Sequence, residues 1–315
     1  MKIQNQRQIY GETLVELGKN NKDIVVLEAD LGKSTMTYLF QEKFPERFYE
    51  MGIGEQNMVS VAAGLALTGK IAFVNSFAVF ATGRAYDQIR QAVCIASLNV
   101  KVIGSSAGLS DFGDGATHQS VEDIAIMRAI PNMTVLAPVD GIETRKMVAA
   151  ICEYNGPVYM RLNRNDLPVV FPEDQPIKIG EPCVLRKGKD ITVFAHGVMV
   201  SMALKAADIL EQKEISLRVV NVSSLKPINE QVIIQLASDT KGVIIAEEHS
   251  VIGGLTEAIT YILRGRAISV ESVAIRDIYG QSAHSYEELL DHYGLTEQGI
   301  IKAVNSILSK GNPEH

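Results

Sequence analysis

The feature that most restricts the fold of this chain is a regular alternation of two kinds of segment. Short apolar segments rich in β-branched residues alternate with longer segments whose apolar residues recur at helical spacing. The short segments are apolar on both faces, which is typical of parallel strands covered by helices. Strands are predicted at Ile24–Glu28, Ile71–Asn75, Val100–Gly104, Thr134–Ala137, Val158–Leu162, Ile191–Ala195, Leu217–Val222, Gly242–Glu247 and Val270–Ile275. Helices are predicted at Gln56–Leu67, Arg84–Ser97, Gly141–Glu153 and Val200–Gln212. The alternation predicts an α/β protein with mostly parallel sheets.

A cluster of prolines divides the chain. The length of 315 residues is enough for two ordinary cores. Pro168, Pro172, Pro176 and Pro182 are four of the ten prolines. Closely spaced prolines interrupt hydrogen bonding in helices and central strands, so Asn165–Lys189 is predicted to be an extended linker. We therefore expect two three-layer domains, at residues 1–170 and 185–315, joined by residues 171–184.

The charge distribution excludes several classes of partner. Thirty basic and thirty-seven acidic side chains give a net charge of −7, and no cluster of Lys and Arg favours nucleic acid. All stretches without charge, including Ile71–Gly83 and Ile191–Leu204, are shorter than the roughly 18–20 residues that span a bilayer. Lys2 and Arg7 are followed by no apolar block, so no secretory signal is predicted.

The cysteines favour a reducing environment. Cys94, Cys152 and Cys183 are too few and too scattered for a disulfide framework or a zinc site. Cys94 and Cys152 lie in apolar helical stretches and are expected to be buried free thiols. We therefore expect a cytoplasmic protein, and we predict no metal ligand in this chain.

Polar or aromatic residues follow the predicted strands of the first half, where loops begin. In open α/β sheets, ligands bind at the carboxyl ends of the strands. These loops therefore form the candidate site. They are Asp30–Ser34, Met51–Asn57, Ser76–Phe80, Gly104–Ser120 and Arg161–Pro168.

Each of these residues also has an ordinary structural explanation when it is taken alone. Glu55 could be a carboxylate at a helix start, stabilised by the macrodipole. Phe77 and Phe80 could belong to the core, and His118 could anchor its loop. The glycines of the sequence GDGATH are weak evidence for an anion site without a complete phosphate-binding fingerprint. The combination and order of the motifs are more specific than any single residue.

In chain order, the motifs are GIGEQN, SFAVF followed by GRAYDQIR, DGATHQSVEDIAIMRAIPNMTVLAP, and RLNRNDLP. Together they resemble the thiamine-diphosphate enzymes of the transketolase family. The second half resembles that family's last domain in two segments, AEEHSVIGGLTEAI and YGQSAHSYEELLDHYGLTEQGIIKAV. The resemblance covers the whole chain. It implies a pyrimidine-binding domain with a mostly parallel sheet, followed by a smaller transketolase C-terminal α/β domain.

The resemblance also implies a second polypeptide. The family holds the diphosphate and the divalent metal, Mg²⁺ or Ca²⁺, on a separate domain marked by Gly-Asp-Gly and later by paired asparagines. Here Gly113-Asp114-Gly115 is present, but paired asparagines occur only upstream, at Asn20-Asn21. We therefore expect the C-terminal subunit of a split enzyme, inert alone. An N-terminal subunit would complete it as an A2B2 heterotetramer with thiamine diphosphate at the subunit interfaces.

By resemblance, Glu55 is the catalytic carboxylate that hydrogen-bonds the aminopyrimidine of the coenzyme. It favours the imino tautomer that deprotonates the thiazolium ring, and a dry pocket would strengthen the hydrogen bond. Phe77 and Phe80 match the aromatic residues that pack on the pyrimidine, while Gly83 stands at a third aromatic position. Asp30 matches a carboxylate near the coenzyme at the subunit boundary; its alternative is a structural cap at the strand end.

The resemblance assigns a further set of residues to the sugar substrate. Asp114 matches the residue that reads an acceptor hydroxyl, and His118 matches one that hydrogen-bonds substrate oxygens and moves protons. A phosphate at the far end of the substrate would meet Arg7, Ser34 and Arg164. A planar guanidinium binds phosphate through two parallel hydrogen bonds, which suits arginine at these positions.

Ser106 departs from the family pattern. The family commonly has a histidine there, which contacts the phosphate end of the substrate. A short neutral hydroxyl neither reaches as far as imidazole nor pairs with charge as imidazole does. The departure predicts weaker phosphate binding, a different anionic end group, or a branched sugar.

The predicted activity is transfer of a two-carbon ketol unit from a ketose to an aldose. One rival is the beta subunit of a 2-oxoacid dehydrogenase, or an enzyme similar to deoxyxylulose-phosphate synthase. Arg7, Asp114 and Arg164 argue against it, because 2-oxoacids carry no remote phosphate. A second rival, from another class, is a non-catalytic subunit that stabilises its partner. The Glu55→Gln variant distinguishes the two hypotheses, because an intact complex with undiminished turnover would support the non-catalytic subunit.

Overall fold

Two sheets of mostly parallel strands organise residues 2–310, which are the residues described by this computed structural model. The strands are β1 Ile3–Asn5, β2 Ile24–Glu28, β3 Phe48–Glu50, β4 Ile71–Phe77, β5 Val100–Ser105, β6 Thr134–Leu136, β7 Val158–Arg161, β8 Asp166–Pro168, β9 Cys183–Arg186, β10 Ile191–Ala195, β11 Leu217–Asn221, β12 Ser224–Lys226, β13 Gly242–Ser250 and β14 Ser269–Ile275. The first sheet has the order β12-β6-β7-β5-β4-β2-β3, and the second has the order β14-β13-β10-β11-β9. In these two sheets only the edge strands β12 and β9 pair antiparallel. The predicted α/β class is confirmed.

Helices cover the sheets. They are α1 Gln6–Asn20, α2 Gly32–Thr35, α3 Tyr38–Lys43, α4 Glu55–Leu67, α5 Tyr86–Gln88, α6 Asp123–Ala129, α7 Gly141–Glu153, α8 Val198–Glu211, α9 Glu230–Ser238, α10 Leu255–Ile262, α11 Tyr286–His292 and α12 Glu297–Lys310. Asn5, Asp140 and Ser285 cap α1, α7 and α11 by accepting backbone hydrogen bonds from the first turn. Within residues 2–310, no helix combines the length and apolarity needed to cross a bilayer.

The segment after β4 differs from its prediction. The sequence pattern predicts one α-helix at Arg84–Ser97. Instead, π-helical stretches at Phe80–Arg84 and Ile89–Cys94 flank the short helix α5. Such π-helical turns often occur at functional sites, since they redirect side chains within a helix.

All nine predicted strands are present, with ends displaced by no more than three residues. The structure adds β1, β3, β8, β9 and β12, which contain only three or four residues each. Such segments, for example Ile-Gln-Asn and Ser-Leu-Lys, contain polar residues and lack the apolar run that marks the equally short β6, so the sequence pattern does not reveal them.

The predicted linker, Asn165–Lys189, is not a separate extended segment throughout, because both of its ends contain short strands. Its ends are β8, which pairs antiparallel with β1, and β9, which pairs antiparallel with β11. Residues 169–182 between them form no regular helix or strand. Moreover, β12 belongs to the second half of the sequence but pairs with β6 at the edge of the first sheet. The domain boundaries near residues 170 and 185 stay a prediction.

Buried polar contacts join the two halves of the chain. Glu143 of α7 accepts hydrogen bonds from Asn221 at 2.9 Å and Ser223 at 2.6 Å. Glu248 of β13 accepts one from the backbone N–H of Leu109 at 2.8 Å. Burial raises the pKa of Glu143 and of Glu248 to about 7. The Glu143 contacts hold α7 against the end of β11, and the Glu248 contact holds the loop after β5 against the second sheet.

Candidate active site

The candidate residues gather at the carboxyl ends of central strands in the first sheet. β4 ends at Phe77, β5 at Ser105 and β7 at Arg161, and these strands are neighbours in the order β7-β5-β4. Since neighbouring parallel strands end at the same edge, the loops that follow them meet there. Side chains far apart in sequence come into contact in this region.

Glu55 is the first residue of α4 and is only 1% exposed. Nη1 of Arg84 lies 2.8 Å from both oxygens of its carboxylate. The Arg84 guanidinium also lies over the Phe80 ring, 4.8 Å from the ring centroid. The motif GRAYDQIR contains Arg84, but nothing in the sequence indicates that its side chain reaches Glu55. This residue is the first that sequence reasoning missed.

Phe77 and Phe80 form a stacked aromatic pair. Their ring centroids are 6.1 Å apart and their planes are inclined by 15°. The His118 ring meets both rings edge-on, at centroid distances of 6.2 Å from Phe77 and 5.3 Å from Phe80. At Gly83, an added Cβ would meet no atom within 4 Å, so a larger side chain could be accommodated there. The structure thus brings three predicted site residues together.

His118 follows a short 3₁₀ turn that begins at Gly115. Its Nδ1 lies 2.9 Å from the hydroxyl of Thr117, and Asp114 before the turn is exposed. Gly115 has φ +73°, and a Cβ there would lie 2.5 Å from Oγ of Ser282. The positive φ and this close approach favour glycine, so the loop is held tightly against the second half of the chain.

Arg164 contacts two residues of the loop after β5. Its Nη1 lies 3.1 Å from Oδ2 of Asp111 and 3.4 Å from Oγ of Ser106. The Arg164 guanidinium also lies 5.5 Å from the centroid of the Phe77 ring. Burial raises the pKa of Asp111, while the neighbouring Arg164 lowers it. Ser106 and Arg164 are therefore in contact, and Asp111 is a second residue that sequence reasoning missed.

Arg7 is buried next to Arg164, but its side chain binds backbone. Its Nη1 donates to the carbonyl oxygen of Ser34 at 2.6 Å, and its Nη2 donates to that of Arg164 at 2.7 Å. Burial, and then the charge of Arg164, lower the pKa of Arg7 to about 10. The structure brings Arg7, Ser34 and Arg164 together, and it connects them through main-chain carbonyls.

Asp30 lies at the end of β2 with its side chain exposed and φ +60°. Its backbone N–H donates to Oε1 of Glu50 at 2.9 Å. The buried carboxylate of this region is Glu28, which accepts hydrogen bonds from Thr35 at 2.7 Å and Thr37 at 2.5 Å. Burial raises the pKa of Glu28 to about 7, although these hydroxyls lower it. Sequence reasoning missed Glu28 because it resembles the last residue of an apolar strand.

A buried ion pair supports the strand ends. Nε of Arg161 lies 3.1 Å from Oδ2 of Asp123, and both side chains are buried. The hydroxyl of Tyr159 donates to the same oxygen at 2.6 Å. The Tyr159 hydroxyl would also lie 2.6 Å from a Cβ added at Gly104. Glycine at position 104 therefore leaves room for the Tyr159 side chain to pack against β5.

The cysteines are free in the structure. Cys94 and Cys152 are buried, and Cys183 is half-buried. Burial raises the pKa of Cys94 and of Cys183 to about 11. Over the described range 2–310, no three His, Cys, Asp or Glu side chains are grouped in a way that could hold a metal ion.

Two family models match the chain in the order of its domains. The model for the transketolase pyrimidine-binding domain matches residues 3–170, and that for the transketolase C-terminal domain matches residues 180–300. The first domain is a parallel α/β domain with polar loops at its strand ends, and the second matches the transketolase C-terminal domain. This order of domains is that of the transketolase class of enzymes. The chain belongs to the transketolase family, as the sequence motifs predicted. Membership implies dependence on thiamine diphosphate.

Proteins similar over nearly the whole chain place it more narrowly within the family. It is 44% identical over 308 residues to the "Putative transketolase C-terminal section" of Methanocaldococcus jannaschii, covering 96% of each. It is 38% identical over 307 residues to a 6-deoxy-6-sulfo-D-fructose transketolase subunit of a Clostridium species, covering 97% of this chain and 95% of the relative. A solved split-gene transketolase, described as an inactive β4 tetramer, is 45% identical with a TM-score of 0.88, covering 97% of this chain and 98% of that one. The chain is thus similar to a transketolase section and to split transketolase subunits.

Proposed function

We propose that this chain is the C-terminal subunit of a two-chain transketolase that transfers a two-carbon ketol unit from a ketose to an aldose. The observation that carries the proposal is the buried carboxylate of Glu55 near the stacked rings of Phe77 and Phe80, with Arg84 contacting both groups. A buried carboxylate and aromatic faces are the groups that can hydrogen-bond and stack an aminopyrimidine. The residues present therefore fit the pyrimidine half of thiamine diphosphate.

When bound, thiamine diphosphate stabilises the carbanion left after a carbon–carbon bond is cleaved. Glu55 would hydrogen-bond a ring nitrogen of the pyrimidine and so set its tautomer. Phe77 and Phe80 would pack on the ring and exclude water. Asp30, exposed at the end of β2, would face the coenzyme from the subunit boundary. Arg84 would have to release Glu55, since it contacts both carboxylate oxygens.

In this proposal, an N-terminal subunit supplies the diphosphate site and the Mg²⁺ or Ca²⁺ ion. The match to a transketolase C-terminal section over 96% of its length supports a division of the enzyme at this point. The similar split-gene chain is described as an inactive β4 tetramer, which fits a subunit that needs a different partner for activity. Two copies of each chain would form a cytoplasmic A2B2 heterotetramer.

The sugar would lie along the loops after β5 and β7. Asp114 and His118 would bind its hydroxyl groups, and His118 would hold or move a proton at a substrate oxygen. The far end would meet Arg164, with Ser106 beside it and Arg7 and the backbone of Ser34 behind. The relative named for 6-deoxy-6-sulfo-D-fructose supports, as an alternative to a sugar phosphate, a substrate that ends in another anionic group.

Reconstitution tests the proposal. The chain is mixed with an N-terminal transketolase section that contains Gly-Asp-Gly and paired asparagines, in the presence of thiamine diphosphate and Mg²⁺. Ketol transfer from xylulose 5-phosphate to ribose 5-phosphate is expected from the mixture and from neither chain alone. Decarboxylation of pyruvate by the mixture would instead indicate the 2-oxoacid class.

The Glu55→Gln variant tests the catalytic assignment. It should lower kcat about 100-fold or more, because the neutral amide no longer polarises the pyrimidine. Gel filtration should show an intact complex. The matched control is Glu230→Gln, which changes an exposed carboxylate that is also the first residue of a helix. Undiminished turnover of Glu55→Gln would favour a non-catalytic stabilising subunit.

A further inference from the structure

Asp111 places a negative charge where the far end of the substrate would bind. Its carboxylate is 3% exposed and lies 3.1 Å from Nη1 of Arg164. The same nitrogen is 3.4 Å from the hydroxyl of Ser106. One third of the Arg164 side chain is exposed, so this ion pair lies at the boundary between the packed loop and the open edge of the sheet.

The charges that interact around this ion pair are negative in sum. Arg7 and Arg164 are positive, while Asp111, Asp114 and Asp166 are negative. Counting the nearby His118 imidazole as neutral, two positive and three negative side chains leave one negative charge. A site built to attract a dianion would have the opposite balance, because the attraction scales with the charge of the ligand.

Arg7 contributes its charge to this balance, but its buried side chain is directed to the main chain. Its two terminal nitrogens already donate to the carbonyl oxygens of Ser34 and Arg164. Its Nε is buried and has no hydrogen-bond partner in the described structure. Arg164 is therefore the cation through which an anionic group would be held, and Asp111 pairs with it.

We propose that Asp111 is a specificity-determining residue that neutralises Arg164 and so disfavours a dianionic substrate terminus relative to a monoanionic or uncharged one. The proposal rests on the proposed function, in which the far end of the sugar lies at Arg164. A phosphate monoester carries about 1.5 to 2 negative charges at neutral pH, whereas a sulfonate carries one. A buried carboxylate repels the phosphate more strongly, and Ser106 adds only a neutral hydroxyl.

Anion binding to the full chain tests this directly. The probes are inorganic phosphate as the dianion, methanesulfonate as the monoanion and glycerol as the uncharged ligand, titrated at pH 7.5 and constant ionic strength. Asp111→Asn and Asp111→Ser should each increase phosphate affinity by about tenfold and methanesulfonate affinity by about threefold, and leave glycerol unchanged. The matched control, Asp208→Asn, removes an exposed carboxylate that pairs with Arg186 and should alter none of them.

Unchanged or weaker phosphate binding by the folded Asp111 variants would overturn the proposal. Adding Arg164→Gln to Asp111→Asn should abolish the gain, and a gain that persisted would overturn it as well. In the reconstituted enzyme, Asp111→Asn should lower KM for a phosphorylated ketose relative to an unphosphorylated one. If phosphate affinity rises but no ketol transfer occurs, the proposed function fails, and only the effect of Asp111 on anion binding at Arg164 stands. If transfer occurs without a shift in relative KM, the role of Asp111 fails alone.

Discussion

Nη1 of Arg84 lies 2.8 Å from both carboxylate oxygens of Glu55. The two residues are 29 positions apart, and the π-helical turn after β4 brings Arg84 to the start of α4. The guanidinium contacts the Phe80 ring at the same time. Arg84 thus contacts the same carboxylate and the same ring that the proposed coenzyme would use.

Replacing Arg84 should reduce the stability of the isolated chain. Arg84→Gln leaves the buried Glu55 carboxylate without this cation, and we expect unfolding in urea to require about 1 kcal/mol less free energy. The magnitude is modest because 46% of the Arg84 side chain is exposed. The control is Arg90→Gln, an exposed arginine of the following π-helical stretch. Equal losses in both variants would show that the Glu55 contact does not stabilise the fold.

Glu28 should make the stability depend on pH. Burial raises its pKa to about 7 from 4.5, so between these values the folded state keeps a proton that the unfolded chain has lost. The contribution of Glu28 to stability is therefore fully present below about pH 4.5 and falls as the pH rises to about 7. The stability of the wild type minus that of Glu28→Gln should fall by up to about 3 kcal/mol across this window.

Urea unfolding at intervals from pH 4.5 to 7.5 measures that difference. Glu12→Gln, which changes an exposed carboxylate of α1, provides the control. Its difference from the wild type should stay nearly constant over the same range. A pH-independent difference for Glu28→Gln would contradict the assigned effect of burial.

The ion pair between Asp123 and Arg161 should contribute more than an exposed one. Asp123→Asn leaves the Arg161 charge buried without its carboxylate partner, which should lower the free energy of unfolding by about 3–5 kcal/mol. Asp208→Asn breaks a pair with Arg186 in which the acid is 71% exposed, and it should cost about 1 kcal/mol or less. Chemical denaturation of both variants gives the comparison. Similar losses would mean that burial does not distinguish the pairs.

Two glycines should respond to alanine in opposite directions. At Gly104, an added Cβ would lie 2.6 Å from the Tyr159 hydroxyl and 3.0 Å from Cα of Ala78, so we expect a loss of about 2 kcal/mol or more. Gly64 is exposed within α4, and a Cβ there meets nothing within 4 Å. Gly64→Ala should stabilise the protein by about 0.5–1 kcal/mol. Thermal unfolding measures both, and stabilisation by Gly104→Ala would refute the close packing of Tyr159 against β5.

Much of the fold could be predicted because its signals are local. A strand buried on both faces, such as β2 or β10, shows a continuous apolar run, and a helix such as α7 shows its spacing within thirteen residues. The predicted bounds of these three elements agree with the structure. By contrast, β8 and β12 each contain a charged residue and no apolar run, and they form by pairing with distant strands, so no local pattern marks them.

The candidate site divides in the same way. Sequence motifs predict that Glu55, Phe77, Phe80, His118 and Arg164 belong to one site, because the order of residue types along the chain can be compared with a family without knowledge of the packing. Their partners could not be found in this manner. No motif distinguishes Asp111 from Asp114, which lies in the same loop. Arg84 lies in a predicted helix, where nothing in the sequence shows which residue its side chain contacts.

The amino-acid sequence by itself determined the fold class, the family and the set of loops that carry the polar residues, because these depend on local periodicity and motif order. Only the tertiary structure decided which charges meet. It joined Glu55 to Arg84 and Asp111 to Arg164, and it bound the donors of Arg7 to two carbonyl oxygens. The reason is physical: electrostatic and hydrogen-bond energies depend on distances between atoms, and distances between residues remote in sequence are set by how the sheets and helices pack.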